Sequence, residues 1–295
     1  METNKKMEYV TLNNGIKMPI LGYGVYQVSK EECERCVSDA LSAGYRSIDT
    51  AQSYFNEEQV GNAIAKSGVA RKDIFLTTKV WIEHYGYEEA KKSVLKSMKK
   101  LRTDYLDLVL LHQPFADYYG AYRALEDLYD EGKLRAIGVS NFYPDRLVDI
   151  ASFSRIKPMV NQVETHPFNQ QTEAKKWMNK YDVQIEAWAP FGEGRGGLFE
   201  NPVLAGIAEK YRKTTAQVML RWHIQCNTVV IPKSVHRERM AENLQVFDFV
   251  LSENDMSAIA ALDKKQSSFF SHQALERVEC FVKLVEERKI PKHSR

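Results

Sequence analysis

The chain has 295 residues, 44% hydrophobic and 27% charged, with 41 lysines and arginines against 39 aspartates and glutamates for a net charge of +2. That near-balance gives no overall field to attract nucleic acid or an anionic membrane, so any cationic site must be local. Cys33, Cys36, Cys226 and Cys280 are too few for a disulfide framework, and a chain this long buries enough surface to fold without crosslink or metal.

Taken in chain order, the first element is a hairpin: a strand over 9–12, a turn at Asn13-Asn14-Gly15, and a return over 16–18. The polar residues 1–7 before it contain no apolar stretch of the kind that marks a secretory signal. No run of 18 apolar residues follows, so no membrane partner is expected and the cytoplasm is the expected compartment. Eight short apolar runs then read as strands: 21–25, 46–50, 74–80, 106–112, 135–140, 159–164, 183–188 and 228–231. Amphipathic segments lie between them. Ser29 and Glu32 have capping-box spacing before a helix over 30–43, and further helices are expected at 57–67 and 88–101. Those at 121–130 and 145–152 are closed by Gly132 and opened by Pro144. The series ends with 172–180, 214–225 and 237–244. Cys33 and Cys36 form a lone C-x-x-C inside the first helix; with no second pair or histidine cluster nearby, they read as structural thiols, and no metal site is expected.

Sustained strand–helix alternation implies a parallel sheet with helical crossovers, and eight units favour closure. The expected fold is α/β: a (β/α)8 TIM barrel with an N-terminal β-hairpin, one domain across residues 1–295. The glycine-rich stretch 192–197 is expected to be a lid. It spells G-x-G-x-x-G, but it follows the seventh strand and lacks the acidic residue a dinucleotide fingerprint needs downstream, so the match reads as coincidence. In the tail, 264–295, Ser267, Ser268, Phe269 and Phe270 with His272 are expected to cross the barrel mouth. Leu275, Val278, Phe281, Val282 and Val285 then recur at helical spacing over 274–289. That helix is expected to pack on its own barrel, and the chain to be a monomer.

Active sites of parallel barrels lie at the carboxyl ends of the strands. The polar residues there are Asp49, Lys79, His112, Ser140, Asn141 and Gln162, followed by Trp188, Lys233 and Ser234, with Tyr54 five residues past Asp49. Singly, each has a plain reading: Asp49 as a helix cap, Lys79 as a solvated strand end, His112 as a core histidine. Together on one rim they suit one chemistry. A phenol is a poor acid at neutral pH, and an ammonium beside it favours the phenolate. Asp49 would pair with Lys79 and hold its charge, and His112 would donate a hydrogen bond to a carbonyl oxygen. The set delivers a proton to an oxygen while hydride reaches the attached carbon, and hydride requires a cofactor.

These residues lie in stretches that resemble the aldo-keto reductase superfamily, and within it bacterial members similar to 2,5-diketo-gluconate reductase. The stretches are 44–51 (Gly-Tyr-Arg-Ser-Ile-Asp-Thr-Ala) with Tyr54, 78–81 (Thr-Lys-Val-Trp) and 110–114 (Leu-Leu-His-Gln-Pro). They continue with 138–142 (Gly-Val-Ser-Asn-Phe), 161–164 (Asn-Gln-Val-Glu) and 231–235 (Ile-Pro-Lys-Ser-Val). The resemblance runs from about Tyr9 to Asp263. It implies a catalytic tetrad of Asp49, Tyr54, Lys79 and His112, with Tyr54 the general acid in reduction and the base in alcohol oxidation. Ser140, Asn141 and Gln162 would bind a nicotinamide carboxamide, Trp188 would stack on its ring, and Glu242 and Asn243 would contact adenine.

Lys233 and Arg239, with Ser234 and nearby backbone N–H groups, suit a 2′-phosphate, so the expected cofactor is NADPH. The substrate is expected to be a small aldehyde, ketone or keto-sugar, in a pocket formed by Tyr23, Val25 and Trp81, with Gln113 where the family often has tryptophan. The alternative is a cofactor-binding sensor or regulatory subunit on the same fold; a barrel enzyme of another class, such as a phosphosugar isomerase, would do without nicotinamide.

Overall fold

The computed structural model describes residues 7–289, with side chains through 287. The expectation for residues 1–7 therefore falls, but for Met7, outside the described residues, as does the end of the tail, 290–295.

An antiparallel hairpin, β1 (Tyr9–Thr11) and β2 (Lys17–Pro19), opens the chain. The Asn13 side chain donates to the carbonyls of Pro158 and Asp182, and Asn14 to that of Arg135. These carbonyls precede three barrel strands, so the hairpin lies across the bottom of the barrel and leaves the opposite end open for chemistry.

Eight parallel strands follow: β3 (Tyr23–Gly24), β4 (Ser47–Asp49), β5 (Phe75–Val80), β6 (Leu108–Leu111), β7 (Ile137–Ser140), β8 (Val160–Glu164), β9 (Gln184–Trp188) and β10 (Val229–Val230). They pair in sequence order, and a parallel bridge between Leu21 and Val230 joins the two edges. The sheet is the expected closed (β/α)8 barrel. Its register carries one pleat around the interior. Gly24 pairs with Asp49, Asp49 with Thr77, Lys79 with Leu110, Leu110 with Gly138, Ser140 with Gln162, and Gln162 with Glu186. Paired residues of neighbouring strands share a face and so do residues two apart. Asp49, Lys79, His112, Ser140, Gln162 and Glu186 therefore project to the same side.

The crossover helices are α1 (Lys30–Ala43), α2 (Glu57–Lys66), α3 (Tyr87–Lys100), α4 (Tyr118–Asp130), α5 (Pro144–Phe153), α6 (Thr172–Tyr181), α7 (Pro202–Tyr211), α8 (Thr215–Gln225) and α9 (Arg237–Leu244). Their ends follow local chemistry. The Ser29 hydroxyl accepts from the Glu32 N–H at the start of α1, and Gly44, at φ 117°, supplies the left-handed turn that ends it. Thr214 and Gln217 form a reciprocal capping box before α8. Two helices outstrip the sequence-based expectation. The loop after β9 carries α7 as well as α8, opened by the Asn201 cap and Pro202. A helix α10 (Glu253–Ala260), opened by a Ser252–Asp255 capping box, follows α9.

Cys33 and Cys36 are buried and free, and burial pushes the Cys33 thiol up to about 12, which suits a structural role. The 192–197 stretch is a kinked 3-10 turn with Gly192, Gly194 and Gly196 at positive φ. It opens no helix, in keeping with its reading as a chance glycine match. The last helix, α11 (Leu275–Lys289), returns to the mouth. Its Phe281 is buried against Trp81, Phe115 and Phe270, as expected for a tail packed on its own barrel. Among the described residues no helix is long and apolar enough to cross a membrane.

Candidate active site

Lys79 is the electrostatic centre of the mouth. It sits in a strand buried at every position and is itself 0% exposed. An ammonium has three hydrogens, and three acceptors surround it: Asp49 Oδ1 at 2.5 Å, the Thr50 carbonyl at 3.0 Å and Tyr54 Oη at 3.3 Å. Burial opposes the charge on Lys79, but Asp49 and its neighbours outweigh that, and the ammonium is held above its ordinary range. Tyr54 lies on a short 3-10 turn, Gln52–Tyr54, directly after β4, which brings its phenol back over the ion pair. Burial raises the Tyr54 phenol to about 12 even though the Lys79 charge pulls it down. The direction of the lysine effect is the one expected from the sequence, but desolvation wins, and Tyr54 stays protonated at neutral pH.

His112, one residue past β6, meets the Tyr54 ring at 5.7 Å and the Trp81 ring at 5.1 Å, edge-on in both cases. Burial first, and the Lys79 charge second, hold its imidazole well below the ordinary value, so the ring is neutral. Ser53 Oγ lies 3.4 Å from Nδ1. A hydroxyl donating there leaves the imidazole hydrogen on Nε2.

Beside this cluster is a flat platform. Asn141 follows β7 in the left-handed region, at φ 63°. Its Oδ1 accepts from Trp188 Nε1 at 2.9 Å, and its Nδ2 donates to the His112 carbonyl and to Ser140 Oγ. The Trp188 ring is thereby fixed at its edge and left half-buried. Gln162 Nε2 donates to Asp49 Oδ2 at 3.0 Å and to Glu186 Oε2 at 2.9 Å. Both amide hydrogens are engaged, which leaves Oε1 as the acceptor this side chain offers.

Across the mouth, Lys233 and Arg239 are exposed, and no carboxylate pairs with either among the described residues. Between them the amino end of α9 has no side-chain cap. Ser234 is buried, with Oγ accepting from the His236 N–H. Asn243 is buried too, and Glu242 Oε1 accepts from Thr214 Oγ1.

The pocket residues are brought together in part. Trp81 and Gln113 lie at the mouth, and Gln113 Oε1 is buried without a hydrogen-bond partner among the described residues. Val25 is fully buried. Tyr23 does not reach the mouth: it is 1% exposed, lies 5.7 Å from the Tyr45 ring, and donates its hydroxyl to the Ser234 carbonyl. Tyr26 takes that place instead, its ring 5.0 Å from that of Tyr54. Sequence reasoning also missed Phe115, which packs on His272 and Phe281, and Glu186. Glu186 had a readable signal, since it stands two residues before Trp188 on one strand and so on the same face.

The tail is fastened at Glu164 and again at Tyr143, whose hydroxyl accepts from the His272 N–H at 3.1 Å. Glu164, at the end of β8, accepts from Ser267 Oγ at 2.5 Å and from the Ser268 N–H at 2.7 Å. Phe269 then stands edge-on to Trp188 at 5.1 Å, and Arg195 of the glycine-rich turn lies 4.4 Å over the Phe269 ring.

The model of the aldo/keto reductase family matches residues 20–264. A glyoxal reductase of Bacillus subtilis is 48% identical over 268 residues, covering 90% of this chain and 96% of the relative. A methylglyoxal reductase, DkgA, of Escherichia coli is 41% identical over 258 residues, covering 86% and 93%. Among solved structures, an aldo/keto reductase from Brucella melitensis superposes with a TM-score of 0.85 at 47% identity, covering 88% of this chain and all of that one. An aldo-keto reductase of Bombyx mori in complex with NADP gives 0.86 at 33% identity, covering 90% and 95%. With a family model spanning most of the chain and relatives this similar along nearly their whole length, the chain belongs to the aldo/keto reductase family.

Proposed function

We propose that this chain is an NADPH-dependent carbonyl reductase that converts small aldehydes, ketones or keto-sugars to alcohols, with Tyr54 as the general acid. The observation that carries the reading is the Lys79 ammonium, fully buried and shared between Asp49 and the Tyr54 phenol. Nothing in a purely binding protein calls for a desolvated ion pair against a phenol.

The residues present fit the cofactor. The uncapped amino end of α9, with Lys233, Ser234 and Arg239, would hold a 2′-phosphate, and Glu242 and Asn243 would take the adenine. Trp188 would stack on the nicotinamide, while Ser140, Asn141 and the free acceptor of Gln162 would bind its carboxamide. When bound, NADPH supplies the hydride that reduces the carbonyl carbon.

The rest belongs to the protein. Tyr54 Oη and a neutral His112 would hold the carbonyl oxygen between two donors. Tyr54 would give up its proton as charge grows on that oxygen, and Lys79 would stabilise the phenolate left behind. Asp49 keeps Lys79 charged in a site that would otherwise favour the neutral amine. Trp81, Phe115 and Phe281 would exclude water. The two relatives named for glyoxal and methylglyoxal point to short 2-oxoaldehydes as the first substrates to try. Oxidation of NADPH by methylglyoxal, followed by absorbance, tests the reading. Turnover that disappears in Tyr54→Phe while NADPH binding persists supports it, and a wild-type protein that binds NADPH without turning over any carbonyl refutes it.

A further inference from the structure

Beneath the tetrad lies a carboxyl group that the chemistry above does not use. Glu186 is 0% exposed and is the register partner of Gln162. The Gln162 amide nitrogen gives one hydrogen to Asp49 and the other to Glu186 Oε2. The three hydrogens of Lys79 go to Asp49, Thr50 and Tyr54, so none remains for Glu186. Its other oxygen, Oε1, is buried with no hydrogen-bond partner among the described residues. A carboxylate in that position would carry a full charge with half of its acceptors unsatisfied, whereas a neutral acid asks for far less.

Resting on the reductase reading, we propose that Glu186 is a positioning residue. As a neutral acid it shares the Gln162 amide with Asp49, which fixes Asp49 against Lys79 and leaves Gln162 Oε1 as the acceptor for the nicotinamide carboxamide. Burial first, and the Asp49 carboxylate second, push Glu186 up to about 8, in keeping with that state. The charged groups acting on it are Asp49 from β4 and Lys79 from β5, and its neighbour on β10 is the apolar Val229.

The sign of the pH effect follows. As pH rises through about 8, ionised Glu186 adds a second negative charge behind Lys79. The positive field at Tyr54 weakens, and proton donation to the carbonyl oxygen becomes harder. Glutamine at this position stays neutral at every pH and still accepts from Gln162. Alanine removes the acceptor and frees one amide hydrogen of Gln162.

The test is kcat/KM for methylglyoxal with NADPH from pH 6 to 10, together with NADPH affinity from tryptophan fluorescence, in wild type, Glu186→Gln and Glu186→Ala. Wild type is expected to lose roughly tenfold between pH 7 and 9.5, and Glu186→Gln less than about threefold. At pH 7, Glu186→Ala is expected to lose roughly tenfold in both kcat and NADPH affinity, and Glu186→Gln to restore them. Should the alanine variant not fold, the comparison of wild type with Glu186→Gln decides alone. A wild type that reduces methylglyoxal with the same pH profile as Glu186→Gln overturns this proposal and leaves the reductase reading standing. A wild type that turns over no carbonyl overturns both.

Discussion

Replacing Lys79 by methionine separates what the buried ion pair does for stability from what it does for chemistry. Methionine fills nearly the same volume and removes the charge. It leaves Asp49, only 3% exposed at its side chain, with Gln162 as its remaining donor among those described. Breaking a buried pair by removing one partner costs about 3–5 kcal/mol. For a chain of this size that is a fall of roughly 5–8 °C in Tm. Turnover should fall by about 10²- to 10⁴-fold, because Tyr54 loses the charge that stabilises its phenolate. The double variant Asp49→Asn/Lys79→Met removes the orphaned charge as well, while the amide oxygen that replaces the carboxylate still accepts from Gln162. It should recover most of the lost Tm, since a buried pair replaced by neutral groups is commonly no less stable, yet it should remain inactive. Thermal melts and methylglyoxal turnover on the three proteins decide the matter. A double variant that regains turnover along with stability would show that the pair only builds the fold, and the proposed role of Lys79 would fail.

Three further outcomes follow from the same geometry. Arg239→Ala should weaken NADPH binding by roughly 10- to 100-fold and NADH binding hardly at all, as expected for losing a charge-assisted contact of about 1.5–3 kcal/mol to a phosphate only NADPH carries; equal weakening in paired titrations would remove Arg239 from the site. Tyr54→Phe should cut kcat by about 10²- to 10⁴-fold and leave NADPH affinity within about twofold, because the phenol is assigned to the substrate oxygen alone; a preserved kcat would refute that. His272 is buried among Phe115, Phe270 and Phe281, and burial lowers it from its ordinary 6.5 to about 4. The docked tail holds the neutral ring, so its contribution is complete above pH 6.5 and is lost as pH falls toward 4, up to about 3 kcal/mol. Protection against hydrogen exchange across residues 275–287, taken relative to the intrinsic rate at each pH, should fall at pH 4.5 in wild type and much less in His272→Phe; identical behaviour would dissociate His272 from the docking of α11.

The barrel was legible because its strands are buried on both faces and so read as apolar runs, such as Leu108 to Leu111, between helices with clear ends. The strand ends were less so. The first strand reads as 21–25, yet ladder pairing confines β3 to Tyr23 and Gly24, because where pairing stops depends on the neighbouring strand. The helices α7 and α10 went unread although Asn201-Pro202 and Ser252 with Asp255 announce them, because the strand–helix alternation was already complete without them. The tetrad was legible for a different reason. Asp49, Lys79 and His112 are polar residues at strand ends, with Tyr54 on the turn after β4, and a buried barrel tolerates them there only if they satisfy one another.

The misplaced tyrosine shows what a lone sequence withholds. Tyr23 and Tyr26 are three residues apart, so they cannot share one face of a strand, and the alternation alone does not say which of them looks inward. The choice is made by the pairing of Gly24 with Asp49, which puts Gly24 on the inward pleat. Even a methyl group at Gly24 would come within 2.9 Å of the Ile231 carbonyl, so that inward position must stay empty and Tyr23 turns toward α1. The chain then leaves the strand before Tyr26, whose ring reaches Tyr54 from the loop. The same register that removes Tyr23 from the mouth delivers Glu186 beneath it, two strands of pairing away from Ser140. Once the inward pleat is known, the buried acid, the amide and the ion pair have to be read as a single electrostatic unit, in which the state of any member sets the charge seen by Tyr54.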